Sequence, residues 1–137
     1  MFKEKVVKYY SGEFDLNCAE SMIYGANEEY DLNLNQKALD TMSSFGGGMG
    51  VESVCGALTG GLAVLGVLFT YNKSLDSEIR KAIVTDFYNA FEKRFGTDNC
   101  KKIKANFRDE TVGCQNVVKW TAEVLEQVIK KYQTGKD

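Results

Sequence analysis

The sequence predicts an all-α protein: a single-domain bundle of about six to seven helices spanning residues 1–137, packed around a buried glycine-rich central helix. Three observations carry this. Apolar residues recur with helical spacing in segment after segment, and none alternates with the period of a strand. Proline is absent, so nothing in the chain forces a helix to break. The stretch Ser53–Tyr71 contains no charge, whereas the segments around it are amphipathic and need an apolar partner.

The elements follow in order. Phe2, Val6, Tyr9 and Tyr10 share one face of a first helix over residues 2–11, ending near Gly12. Asn17 caps a second helix, and Glu20 three residues later completes a capping box. That helix carries Ala19, Met22, Ile23 and Ala26 inward and ends near Tyr30. Asn33 or Asn35 caps a third, in which Leu34, Ala38, Met42 and Phe45 fall on one side before Gly46–Gly48 stops it. The central helix comes next and occupies residues 51–70, the most buried segment. Asn72–Asp76 makes a turn. Ile79, Ile83, Phe87, Phe91 and Phe95 then form a stripe in a fifth helix that starts near Leu75 and is closed by Gly96. Asp98 or Asn99 caps a short sixth helix with Ile103 and Phe107 inward, and Asn106–Gly113 is a loop. From Cys114 a last helix places Val117, Thr121, Val124, Leu125, Val128 and Tyr132 together, and the end frays from Gly135.

Composition narrows the function. Hydrophobic residues make up 44% and charged residues 26%, an ordinary globular balance. The net charge of −2 gives no basic footprint for nucleic acid. The uncharged run reaches the length of a membrane span, and Gly56 and Gly60 form a GxxxG pair. No Lys/Arg cluster flanks it, however, so no span is expected. The first residues, MFKEKVVKYYSGEFD, hold no apolar core of a signal peptide. The expected compartment is therefore the cytoplasm, where cysteines serve as thiols, ligands or catalysts rather than as staples. Histidine is absent, which removes imidazole as base, acid or ligand.

The four cysteines share a context. Cys18 follows Asn17, Cys55 follows the glycine-rich loop, Cys100 follows Asn99, and Cys114 follows Gly113. Each falls at a predicted helix N-terminus, where free N–H groups and the macrodipole favour a thiolate. Cys55 is the candidate reactive thiolate and the expected most acidic thiol, with Glu52 opposing it. Gly48, Gly50 and Gly56 are candidates for a close backbone approach to a cofactor. Gly56, Gly60, Gly61 and Gly66 are also explained by close helix packing. In an up-and-down bundle the second, fourth and sixth helices start at one end, which gathers Cys18, Cys55 and Cys100. Cys114 joins them only if the short sixth helix and its loop bring the chain back.

The cysteines are 37, 45 and 14 residues apart, with no CxxC pair of the zinc-ribbon or thioredoxin kind. Thiolates from separate helices still suit a four-cysteine metal or iron–sulfur site. They also suit a dithiol relay with Cys55 as attacking thiolate, and a cofactor-free helical interaction module stays open.

With Cys18, the block Cys55-Gly56-Ala57-x-x-Gly60, Cys100 in Thr-Asp-Asn-Cys and Gly113-Cys114, nearly the whole chain resembles the C_GCAxxG_C_C family, named for its cysteine pattern. The order here is Cys-Gly-Ala where the label reads Gly-Cys-Ala. The resemblance implies a small redox-active protein with these four matched cysteines, and no particular reaction. The expectations are one site of Cys18, Cys55, Cys100 and Cys114 that binds an iron–sulfur cluster, zinc or another thiophilic metal, or none. The partner would be a redox protein or a small-molecule electron donor or acceptor.

Overall fold

The computed structural model describes residues 1–70 and 77–133. Among the described residues seven α-helices run in the order α1 Phe2–Tyr10, α2 Cys18–Glu29, α3 Gln36–Asp40, α4 Gly56–Thr70, α5 Ser77–Phe95, α6 Cys100–Phe107 and α7 Gln115–Gln133. An irregular turn, Gly48–Glu52, with left-handed backbone at Met49 and Gly50, precedes α4. Among the described residues there is no strand, only two isolated bridges. No described helix is long and apolar enough to cross a membrane.

Helix α4 is the centre, packing on α2, α5 and α7, while α1 lies across α2 and α7. Its glycines are sites of close approach. A Cβ at Gly60 would stand 2.6 Å from the Ala19 carbonyl, and one at Gly61 would stand 2.6 Å from the Phe87 ring. Gly66 faces open space. Helix α1 seats on α2 in the same way, since a Cβ at Gly25 would meet Val6 at 2.7 Å.

The caps are as the sequence predicts. Asn17 accepts the Glu20 N–H while Glu20 accepts the Asn17 N–H. Asn35 and Asn99 accept the N–H groups of Ala38 and Lys102. Gly96 closes α5 with φ +80°.

Four expectations change. The third helix stops at Asp40, and residues 41–45 continue as tight turns with bonds such as Ser43 N–H to the Asp40 carbonyl, 3.0 Å. These still bury Met42. The central helix begins at Gly56 rather than residue 51, because residues 47–52 reverse the chain through left-handed backbone, and Val51 is 75% exposed there. In α5, Ile83, Phe87, Phe91 and Phe95 are buried, but Ile79 is 40% exposed. Helix α6 runs to Phe107, so the loop after it is shorter than Asn106–Gly113. The predicted turn Asn72–Asp76, the start near Leu75 and the frayed end from Gly135 lie outside the described residues.

Two alanine substitutions separate the packed glycines from the free one. Gly60→Ala forces a Cβ into the α2 backbone and destabilises by about 1–3 kcal/mol despite its better helix propensity. Gly66→Ala meets nothing and stabilises by about 0.5–1 kcal/mol. Urea denaturation of both variants measures the difference, and equal effects would contradict the packing described.

Candidate cysteine centre

Each cysteine is placed by the start of a helix. Cys18 and Cys100 are the first residues of α2 and α6, while Cys55 and Cys114 directly precede α4 and α7. The starts of α4 and α6 are tied together. The Cys55 N–H donates to the Asp98 carbonyl at 2.8 Å, and the Cys100 N–H donates to the Ser53 carbonyl at 2.5 Å. Asn99 Nδ2 adds a bond to the Glu52 carbonyl, 3.3 Å. The Tyr88 hydroxyl, from α5, donates to the Asp98 carboxylate. Cys114 is brought back by the loop after α6, which Asp109 and Gly113 close with a reciprocal pair of backbone bonds, 2.9 and 2.8 Å. Its N–H then donates to the Tyr10 hydroxyl of α1, 3.0 Å.

All four cysteines line one cavity of about 520 Å³, within the range of small-molecule sites. Tyr10, Lys104 and Arg108 line it too. Cys55 and Cys100 are buried, Cys18 and Cys114 half-buried, and all four are free thiols. Cys18 and Cys100 each lie within electrostatic reach of the other three thiols.

Gly56 is where backbone and sulfur meet: a Cβ there would stand 2.5 Å from Cys18 Sγ. A Cβ at Gly48, in left-handed backbone, would stand 2.8 Å from the Cys100 Cβ. Gly50 has φ +74° and nothing near it, so it serves the turn, and the glycines that reach the cavity wall are Gly12 and Gly47.

Electrostatics reverses the expectation that Cys55 is the most acidic thiol. Burial pushes its pKa from 9.0 up to about 12, Cys18 adds to the rise, and the N–H groups of Ala57 and Leu58 oppose it without overcoming it. Stripping water from the sulfur disfavours the thiolate by more than the helix terminus favours it. Burial likewise raises Cys100 and Cys114, with Lys104 opposing at both and Arg108 at Cys114. Glu52, the expected like-charge neighbour, is paired with Lys104 at 2.9 Å. Among the described residues, no three Cys, Asp or Glu side chains stand together closely enough to hold a metal ion.

Residues 16–128 match a family model described as "Putative redox-active protein (C_GCAxxG_C_C)". The chain belongs to this family. No curated protein and no solved structure matches it. Its redox character is therefore a family property. Tyr10 and Arg108 were not legible as lining residues beside these thiols, since no local pattern joins them to a cysteine, whereas Lys104 stands four residues after Cys100 on α6.

The buried thiol sets a pH dependence. The unfolded chain releases the Cys55 proton near 9.0 and the folded chain holds it to about 12. Between those values the unfolded state binds fewer protons, so stability is complete below pH 9 and falls as pH rises, by about 1.4 kcal/mol per unit for this group. Urea denaturation of the reduced protein across that window should show the decline, and Cys55→Ala should lessen it, leaving the smaller part due to Cys100 and Cys114.

Proposed function

We propose that Cys18, Cys55, Cys100 and Cys114 form one redox centre that holds an iron–sulfur cluster and passes electrons to a redox protein or a small-molecule partner. The observation that carries this reading is the convergence of four free thiols from four helix starts on one cavity.

The donor set suits the group. It is all thiol, with no histidine in the chain, and cysteine thiolates are the usual ligands of such clusters. A single zinc ion suits it less well, since no three donor side chains among the described residues are spaced for one ion. A cluster brings its own sulfide and spans wider ligand separations. When bound, it supplies one-electron transfer.

The residues of the chain contribute the rest. Four thiolates around one cavity repel one another, and burial keeps three of them protonated in the absence of a cation. Loading therefore releases protons and strengthens with pH. The helix N-termini, with N–H groups of Ala57 and Leu58 on Cys55, then stabilise the negative charge that the thiolates bring. Lys104 and Arg108 add positive potential at the wall.

A second reading rests on the mutual reach of the thiols, with Cys18 and Cys100 each coupled to the other three. Two thiols, Cys18 and one of its three neighbours, would close a disulfide and give two protons and two electrons to an oxidised partner thiol pair. Cys55, deeply buried and with a raised pKa, makes a poor attacking thiolate in that scheme.

Anaerobic purification followed by iron and sulfide analysis and a visible spectrum tests the proposal. The expected result is iron and sulfide in equal amounts with sulfur-to-iron absorbance, lost in each single Cys→Ser variant. A colourless, iron-free protein that loses two thiols on mild oxidation would transfer the function to the second reading.

A further inference from the structure

The family model begins at residue 16, so α1 lies outside the matched segment, yet it reaches the cysteine cavity through Tyr10. We infer that Tyr10 is a positioning residue of the cysteine centre, holding Cys114 at the cavity by accepting its backbone N–H.

The geometry builds this from several sides. The bond from Cys114 N–H to the phenol oxygen is 3.0 Å long and joins residues 104 apart in sequence. It satisfies a backbone donor at the start of α7, one that no preceding helical turn could serve. Gly113 leaves room for the phenol: its backbone is left-handed at φ +60°, and a Cβ there would stand 3.0 Å from the hydroxyl oxygen. The register of Tyr10 is fixed in turn by the close seating of α1 on α2 at Val6 and Gly25. Cys18 and Cys114 are thus attached to the same two-helix unit, one directly and one through the phenol. Among the described residues the tyrosine's own proton has no hydrogen-bond acceptor, which leaves it available to a sulfur at the cavity wall. Hydrogen bonds to ligand sulfurs are one of the levers that set a cluster's potential.

What the position serves rests on the proposed cysteine centre; whether it is held does not. The test therefore uses the reduced, metal-free full chain first. Tyr10→Phe keeps the ring and removes only the oxygen. Amide exchange at Cys114 should then quicken by about fivefold, the worth of one neutral hydrogen bond, and alkylation of Cys114 should rise, while the Cys100 amide, bonded to Ser53, is unchanged. Tyr9→Phe removes the neighbouring hydroxyl, which bonds Glu28 instead, and should leave both amides alone. Gly113→Ala presses on the latch with the tyrosine in place and should repeat the selective loosening of Cys114. In loaded protein, Tyr10→Phe should also lower the reduction potential. Unchanged exchange at Cys114, or an equal rise at Cys114 and Cys100 in both tyrosine variants, would overturn the inference. Absence of a cluster would count against the proposed function alone, because the exchange result stands without it.

Discussion

The site depends on two backbone hydrogen bonds, from Cys55 to Asp98 and from Cys100 to Ser53. They make residues 53–55 and 98–100 a short antiparallel pair, and paired residues of that kind stand about 5 Å apart. The starts of α4 and α6 are therefore side by side, although 45 residues separate their cysteines. The cost is visible next door. To enter the pair from α3 the chain must reverse within residues 47–52, and it does so with left-handed backbone at Met49 and Glu52 as well as at glycines. Such strain costs about 1–3 kcal/mol per residue and persists only where the surroundings over-determine it. Here they do: Lys104 and Asn99 of the α6 start grip Glu52 by side chain and carbonyl.

Helix α4 connects that local arrangement to the stability of the bundle. Gly60 and Gly61 bring it into contact with the α2 backbone and the Phe87 ring, and one turn earlier Gly56 does the same against Cys18 Sγ. A single device, the missing side chain, closes the core at one level and brings a thiol to the cavity at the next. This explains why a helix at the centre of the protein keeps residues of poor helix propensity.

Much of this was legible because much of it is local. Asn17 with Glu20, and Asn35 and Asn99 alone, announce helix starts through bonds that span three residues, and the phenylalanine stripe of α5 announces a buried face. What depends on distant partners was not. The reversal at 47–52 is set by α6, the early end of α3 by the turns that bury Met42, and the return of Cys114 by a tyrosine at the far end of the chain. The acidity of Cys55 failed for the same reason. Its helix-terminal position can be read from sequence, but the depth of its burial, 5% exposed, is a property of the packed bundle.

That failure says what kind of centre the bundle has built. Helix termini alone would make four acidic, exposed thiols, open to any oxidant. Burial alone would make four inert ones. In this arrangement the two effects oppose each other at the same sulfur: desolvation holds Cys55 as the neutral thiol, while the N–H groups of Ala57 and Leu58 already point at it. The preorganised dipoles contribute little until charge is created there. Once a cation or a disulfide replaces the protons, the mutual repulsion of the thiolates is gone. In the cation case the same dipoles then act on a fixed negative group in a low-dielectric site, where they count for more than they do in water. A fold that is undisturbed with its thiols protonated, and electrostatically prepared for the loss of those protons, is what the proposed exchange of protons for a redox group requires if the core is not to be rebuilt.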